Sequence, residues 1–137
     1  MIPSERADAF ADAALACLGT RFYAHGREPG RGLDCVGLVI CAAAAVGIEI
    51  PDQEYVIGPG CDLFKAMTEV AGTVFVEGTL PLKRGDALTL RFPKMPFHAA
   101  IYVGGNRIVH AMVGRGVGLM CIDHSVLARI QGIWRLP

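Results

Sequence analysis

The stretch Gly32-Leu33-Asp34-Cys35-Val36-Gly37-Leu38-Val39-Ile40-Cys41-Ala42-Ala43-Ala44-Ala45-Val46-Gly47 decides how this chain folds. Residues 36–46 are apolar nearly all round, the pattern of a helix buried on every side. Asp34 stands where an N-cap belongs, and a carboxylate there accepts from N–H groups that the first helical turn leaves unpaired. Gly47 supplies a stop, and Pro51 blocks any extension. Cys35 then falls in the first turn. The unpaired N–H groups and the macrodipole favour negative charge at that end, so a thiol there ionises below the ordinary thiol pKa of ~8.5. The same N–H groups suit an oxyanion. A plainer reading makes Cys35 one more small buried residue, as Cys41 is expected to be; position alone does not separate the two.

Working outward, residues 19–33 form a loop rich in glycine that carries His25, Arg27 and Arg31. Before it, Ala7, Phe10, Ala11, Ala14, Leu15 and Leu18 recur at helical spacing, with Ser4 as N-cap and Gly19 as stop. After the buried helix, Gly58-Pro59-Gly60 marks a turn, and Asp62 caps a short helix bearing Leu63, Phe64, Met67 and Val70. Residues 73–76 are β-prone. Lys83-Arg84-Gly85-Asp86 reads as a turn, held by Asp86, into a strand at 87–92. Residues 93–96 read as a constrained loop, and strands follow at 98–103, 107–113 and 117–122, with 133–136 closing the sheet. Helices first and consecutive strands afterwards predict an α+β domain spanning residues 1–137, with N-terminal helices packed on an antiparallel β-sheet.

A cysteine nucleophile needs a base on a rigid element. His98 opens its strand, and alternation puts His98, Ala100 and Tyr102 on one face. A lone histidine at a strand start is commonly a satisfied edge residue, so a partner decides its role. His110 is that partner if the hairpin register allows it. A three-residue loop, Gly104 to Asn106, pairs Val103 with Arg107 and Ala100 with His110, leaving the two histidines diagonal on one face. A two-residue loop sends His110 to the opposite face, and glycine and asparagine permit either. In the three-residue register, Cys35 is nucleophile, His98 general base and His110 the group that orients it.

The 137 residues are 53% hydrophobic and 19% charged, with a formal net charge of zero. That excludes disorder, and the absence of a basic stripe argues against nucleic acid as a partner. The start lacks a basic and then apolar leader, and the apolar run 36–48 is too short to span a bilayer. Synthesis in the cytoplasm without a signal peptide and no membrane insertion are expected. Five cysteines without a C-x-x-C pair argue against a disulfide framework. No metal and no cofactor are expected, since zinc ligands usually come closely paired on one element. Gly114-Arg115-Gly116-Val117-Gly118 lacks the Lys-Ser/Thr of a phosphate loop, and His124 is expected to be exposed.

Several blocks together resemble the NlpC-type family of cell-wall cysteine peptidases. They are Gly19-Thr20-Arg21-Phe22, His25-Gly26-Arg27-Glu28-Pro29, Gly32-Leu33-Asp34-Cys35-Val36-Gly37-Leu38-Val39, Arg84-Gly85-Asp86, His98-Ala99-Ala100-Ile101-Tyr102-Val103-Gly104 and Ile108-Val109-His110-Ala111. They occur in family order. The resemblance implies a compact papain-like fold, Cys35, His98 and His110 as catalytic residues, and hydrolysis of peptidoglycan stem peptides at the γ-D-glutamyl–diamino acid bond. His25-Gly26-Arg27 ahead of Gly32–Cys35 looks most like members carried by phage or phage-like tails. That implies tail-tip or baseplate partners and action in the cell envelope. Where the family often has Pro-Tyr the chain has Arg21-Phe22, so Tyr23 is the substitute for that tyrosine in contacting substrate. Arg27 and Asp34 are the other substrate-contact candidates, although a loop arginine is more often a solvated charge and Asp34 foremost a cap. His25 stands where the family commonly has glycine. Val36 replaces a commoner serine. A cysteine amidase or acyltransferase on the same scaffold, and a non-catalytic structural tail-tip protein, are the competing readings.

Overall fold

The computed structural model describes residues 2–52, 74–76 and 81–137. The expected turn at 58–60 and the helix after Asp62 lie outside them. Helix α1 (Pro3–Ala16) starts two residues earlier than expected. Its N-cap is Ile2, with no side-chain cap, and not Ser4. Pro3 explains the difference: its φ is preset for a helix, and its missing N–H would be unpaired in the first turn anyway. The loop that follows is more ordered than its glycines suggested. It contains a two-residue antiparallel ladder, β1 (Arg27–Glu28) with β2 (Gly32–Leu33). Helix α2 (Cys35–Ala45) follows at once, capped by Asp34.

Strands β3 (Val74–Phe75), β4 (Ala87–Phe92), β5 (Met95–Gly104), β6 (Arg107–Met112), β7 (Gly116–Cys121) and β8 (Ile130–Arg135) form one antiparallel sheet, with a short helix α3 (His124–Leu127) before β8. The sheet order is β3-β8-β4-β5-β6-β7. The last strand therefore inserts beside β4 instead of closing an edge. The loop expected at 93–96 is shorter: Met95 already pairs with Phe92, so β5 begins three residues before His98. His124 is exposed.

The alternating rows of the sheet feed two cores. Ala99, Ile101, Val109 and Ala111 pack with Phe10, Ala14, Leu38 and Val39 from the helices. Leu88, Leu90, Ala100, Tyr102 and Ile108 pack on the other side with Val126 and Ile133. Helix α1 is pinned to the sheet by charge as well as by apolar area. Arg84, in the turn before β4, donates to Asp8 and Asp12 of α1 and to the Val103 carbonyl. Among the described residues no helix is long and apolar enough to cross a membrane.

Asp86 closes the same turn from inside. Only 2% of it is exposed, and it accepts from the Lys83 N–H at 2.8 Å and from the Arg135 guanidinium at 2.9 Å. Removing one partner of a buried charge pair leaves the other unsatisfied. Asp86→Ala is expected to lower the unfolding free energy in urea by about 2 kcal/mol, and Asp86→Asn by about half of that.

Candidate active site

The β5–β6 hairpin settles the register, in a form neither expectation described. The tip is two residues, Gly105 and Asn106, closed by a Gly104–Arg107 pair. All three of Gly104, Gly105 and Asn106 have positive φ, at +86°, +60° and +57°. A register shift between Tyr102 and Gly104 then supplies the odd residue, so Ile101 faces Val109. One step further, Ala100 stands opposite His110, as the three-residue loop would have placed it. A bulge with glycine in the left-handed region has replaced the longer loop, because it adds a residue to one strand without opening the turn.

The two imidazoles consequently meet. His98 Nε2 lies 3.0 Å from His110 Nδ1, with the rings edge to face and their centroids 5.2 Å apart. Both side chains are buried, at 3% and 5% exposure. Phe92 stands edge-on to the His98 ring at 5.7 Å. Burial, and next the His98 charge, push the His110 pKa down from 6.5 to about 4. His110 is therefore neutral at pH 7. A neutral His110 can accept from His98 Nε2–H through Nδ1, which leaves His98 Nδ1 with a free lone pair.

Cys35 occupies the first helical position of α2 and is 7% exposed. Helix α2 packs against both β5 and β6, the strands that bear the histidines. It rests on the rows of Ala99 and Ile101 and of Val109 and Ala111, which alternate with those of His98 and His110. Strand alternation alone thus does not carry the rings to the sulfur. The structure joins two of the three expected catalytic side chains directly, and brings the third in on the helix that covers their strands. Among the other described thiols, burial pushes Cys17 and Cys41 up, away from ionisation, and Cys121 is exposed.

Asp34 has no solvent exposure and is surrounded by donors. Its Oδ1 accepts from the Gly37 N–H at 2.7 Å and from Arg27 Nη1 at 3.0 Å, and its Oδ2 from the His25 N–H at 2.8 Å. Arg27 also forks onto Asp52 at 2.8 and 2.9 Å and donates to the Gly26 carbonyl. That fork holds the Asp52 carboxyl below the usual range. His25 has φ +60°, which accounts for a position where glycine is at ease. Tyr23 is 65% exposed and borders a cavity of about 350 Å³ with Arg21, His25, Arg27 and Arg31. No cluster of metal-ligating side chains occurs among the described residues.

Sequence reasoning missed two contributors. Asp52 lies 25 residues from Arg27 and carries no local signal. Gly37 is needed because a Cβ there would collide with the Gly26 carbonyl and come within 2.9 Å of Arg27 Nη1. Its spacing after Cys35 was the available clue.

Fold and site define an α+β domain in which a helix start capped by Asp34 and bearing a thiol packs on strands that present a paired imidazole. The chain belongs to the NlpC/P60 family, whose model matches residues 19–131. It is 30% identical over 128 residues to the probable endopeptidase NlpC homolog of Haemophilus influenzae, covering 86% of this chain and 58% of that protein. The chain thus spans little more than half the length of that relative. In structure it is similar to the NlpC/p60 domain of the peptidoglycan hydrolase SagA, with a TM-score of 0.68, 20% identity, and 95% and 98% of the two chains covered. It is also similar to NlpC2 from Trichomonas vaginalis, with a TM-score of 0.72, 19% identity, and 94% and 46% covered.

The neutral, buried His110 makes stability depend on acid. Its folded pKa is depressed, so the unfolded chain binds the proton first as pH falls below 6.5. The contribution is complete above pH 6.5 and is lost as pH falls to about 4, a loss of about 3 kcal/mol in urea unfolding. His110→Asn, which cannot titrate, is expected to remove most of that acid loss.

Proposed function

We propose that this protein is a cysteine peptidase that hydrolyses peptidoglycan stem peptides. The observation that carries the reading is the 3.0 Å His98–His110 pair on the strands packed against the helix that begins at Cys35. In the reaction, His98 Nδ1 takes the thiol proton and the Cys35 sulfur attacks the amide carbonyl carbon. The oxyanion is held by N–H groups of the first turn of α2. The tetrahedral adduct collapses as the His98 imidazolium gives its proton to the departing amine, leaving a thioester. Water then attacks that thioester as His98 takes a proton from it. Release of the carboxylic acid returns the thiol. His110 stays neutral throughout, so its Nδ1 keeps accepting from His98 and supports the imidazolium.

The bond proposed is γ-D-glutamyl–diamino acid, and the setting proposed is the tip of a phage-like tail acting in the cell envelope. Family membership supports the substrate class. The His25-Gly26-Arg27 pattern supports the tail setting. Tyr23, beside the basic cavity, is the proposed substrate contact of the loop. Arg27 and Asp34 are turned to each other and to the helix start, so their part is in shaping that loop.

Digestion of muropeptides followed by mass analysis tests the reading. Native protein is expected to cut stem peptides. Cys35→Ala should leave none of that activity, and His98→Ala should lose about 10²–10⁴-fold in kcat. His110→Ala removes one hydrogen bond worth about 1.4 kcal/mol and should cost about tenfold. Cleavage that survives Cys35→Ala overturns the proposal. Turnover of simple thioesters without muropeptide products would support an amidase or acyltransferase instead.

A further inference from the structure

The Asp34 carboxylate presents a conflict. As the cap it must lie at the start of α2, next in sequence to Cys35. There its negative charge opposes the thiolate that the helix end favours, since a like charge within a few ångströms disfavours ionisation. The cap is also fully buried, so water does little to screen it. The cation against it is Arg27, whose Nη1 lies 3.0 Å from Oδ1, the same oxygen that accepts the Gly37 N–H.

Arg27 is itself held from several directions. Its Nε and Nη2 grip both oxygens of Asp52, Nη1 also donates to the Gly26 carbonyl, and its own carbonyl accepts from Cys41 Sγ at 3.2 Å. Gly37 leaves the room that lets the guanidinium lie against the first turn of the helix. The charge is therefore fixed in place, at the N-terminal end of the nucleophile's helix. Among the described residues, the other buried titratable groups on elements packed against α2 are the Cys17 thiol after α1, His98 and Tyr102 on β5 and His110 on β6; β1 adds the exposed Glu28 beside Arg27, and β2 contributes none.

We propose that Arg27 is a positioning residue for the nucleophile: it neutralises the Asp34 cap, so that the carboxylate can hold the helix start without suppressing the Cys35 thiolate. The inference rests on Cys35 being the nucleophile. It assigns Arg27 a charge role that neither the expected substrate contact nor a solvated loop charge contains.

The test is alkylation of Cys35 by iodoacetamide as a function of pH, read by mass analysis of its peptide in the folded protein. In Arg27→Gln the midpoint should rise by about one pH unit, as expected when an opposite charge near an ionising group is lost. Arg27→Lys keeps the charge and should stay close to wild type. The double variant Arg27→Gln with Asp34→Asn removes both charges while keeping a good capping residue, so its midpoint should return toward wild type. A purely structural Arg27 gives no such return. Asp34→Asn alone removes the negative charge beside Cys35 while Arg27 stays in place on Asp52, and should lower the midpoint below wild type, a result that does not depend on Arg27→Gln folding. An Arg27→Gln profile that coincides with wild type, or a double variant that stays shifted, overturns the role of Arg27. If wild-type Cys35 alkylates no more readily than Cys17 and Cys41, the nucleophile reading fails first, and Arg27 with it.

Discussion

One buried carboxylate organises the region around the thiol. Asp34 gathers three donors: the Gly37 N–H, the His25 N–H and the Arg27 guanidinium. A buried charge persists only when it is paired and hydrogen-bonded. These contacts tie the helix start, the left-handed turn at His25 and the β1–β2 ladder into one unit. Through Arg27 the same unit reaches Asp52, beyond the end of α2. The position of Cys35 is a consequence of that closure and not of helix propensity alone.

The imidazole pair depends on a different constraint, the parity of the β5–β6 hairpin. A single residue of slip would send one ring to each side of the sheet. Positive φ at Gly104, Gly105 and Asn106 admits a tight tip together with a bulge, and the two offsets cancel at Ala100 and His110. Burial then sets the chemistry. Burial, and next the His98 charge, keep His110 neutral, so it can accept from His98.

Much of this was legible in the sequence. The Asp34 cap, the buried helix and the strand beginning at Ala87 follow from local pattern; the face shared by the two histidines was expected from a three-residue loop, whereas a two-residue tip with a bulge delivers it. What escaped had non-local causes. The Arg27–Asp52 fork joins residues far apart in sequence, and neither has a neighbour that announces it. The insertion of β8 between β3 and β4 is set by packing partners, not by any motif in residues 130–135. The start of α1 moved because Pro3 outweighs a serine cap. The alternation that puts the helices over Ala99 and Ile101 was likewise hidden, because a strand pattern tells which residues share a row but not which row a helix will cover.

The glycine-rich loop has a second consequence, at the sheet border. Strand β7 is the outermost strand, yet its Val117 already exchanges backbone hydrogen bonds with Gly19 and Thr20. An uncovered border strand is a template for strand addition by another molecule. The segment that leads toward the cysteine therefore also covers the Val117 end of that border, where an open backbone would otherwise face solvent.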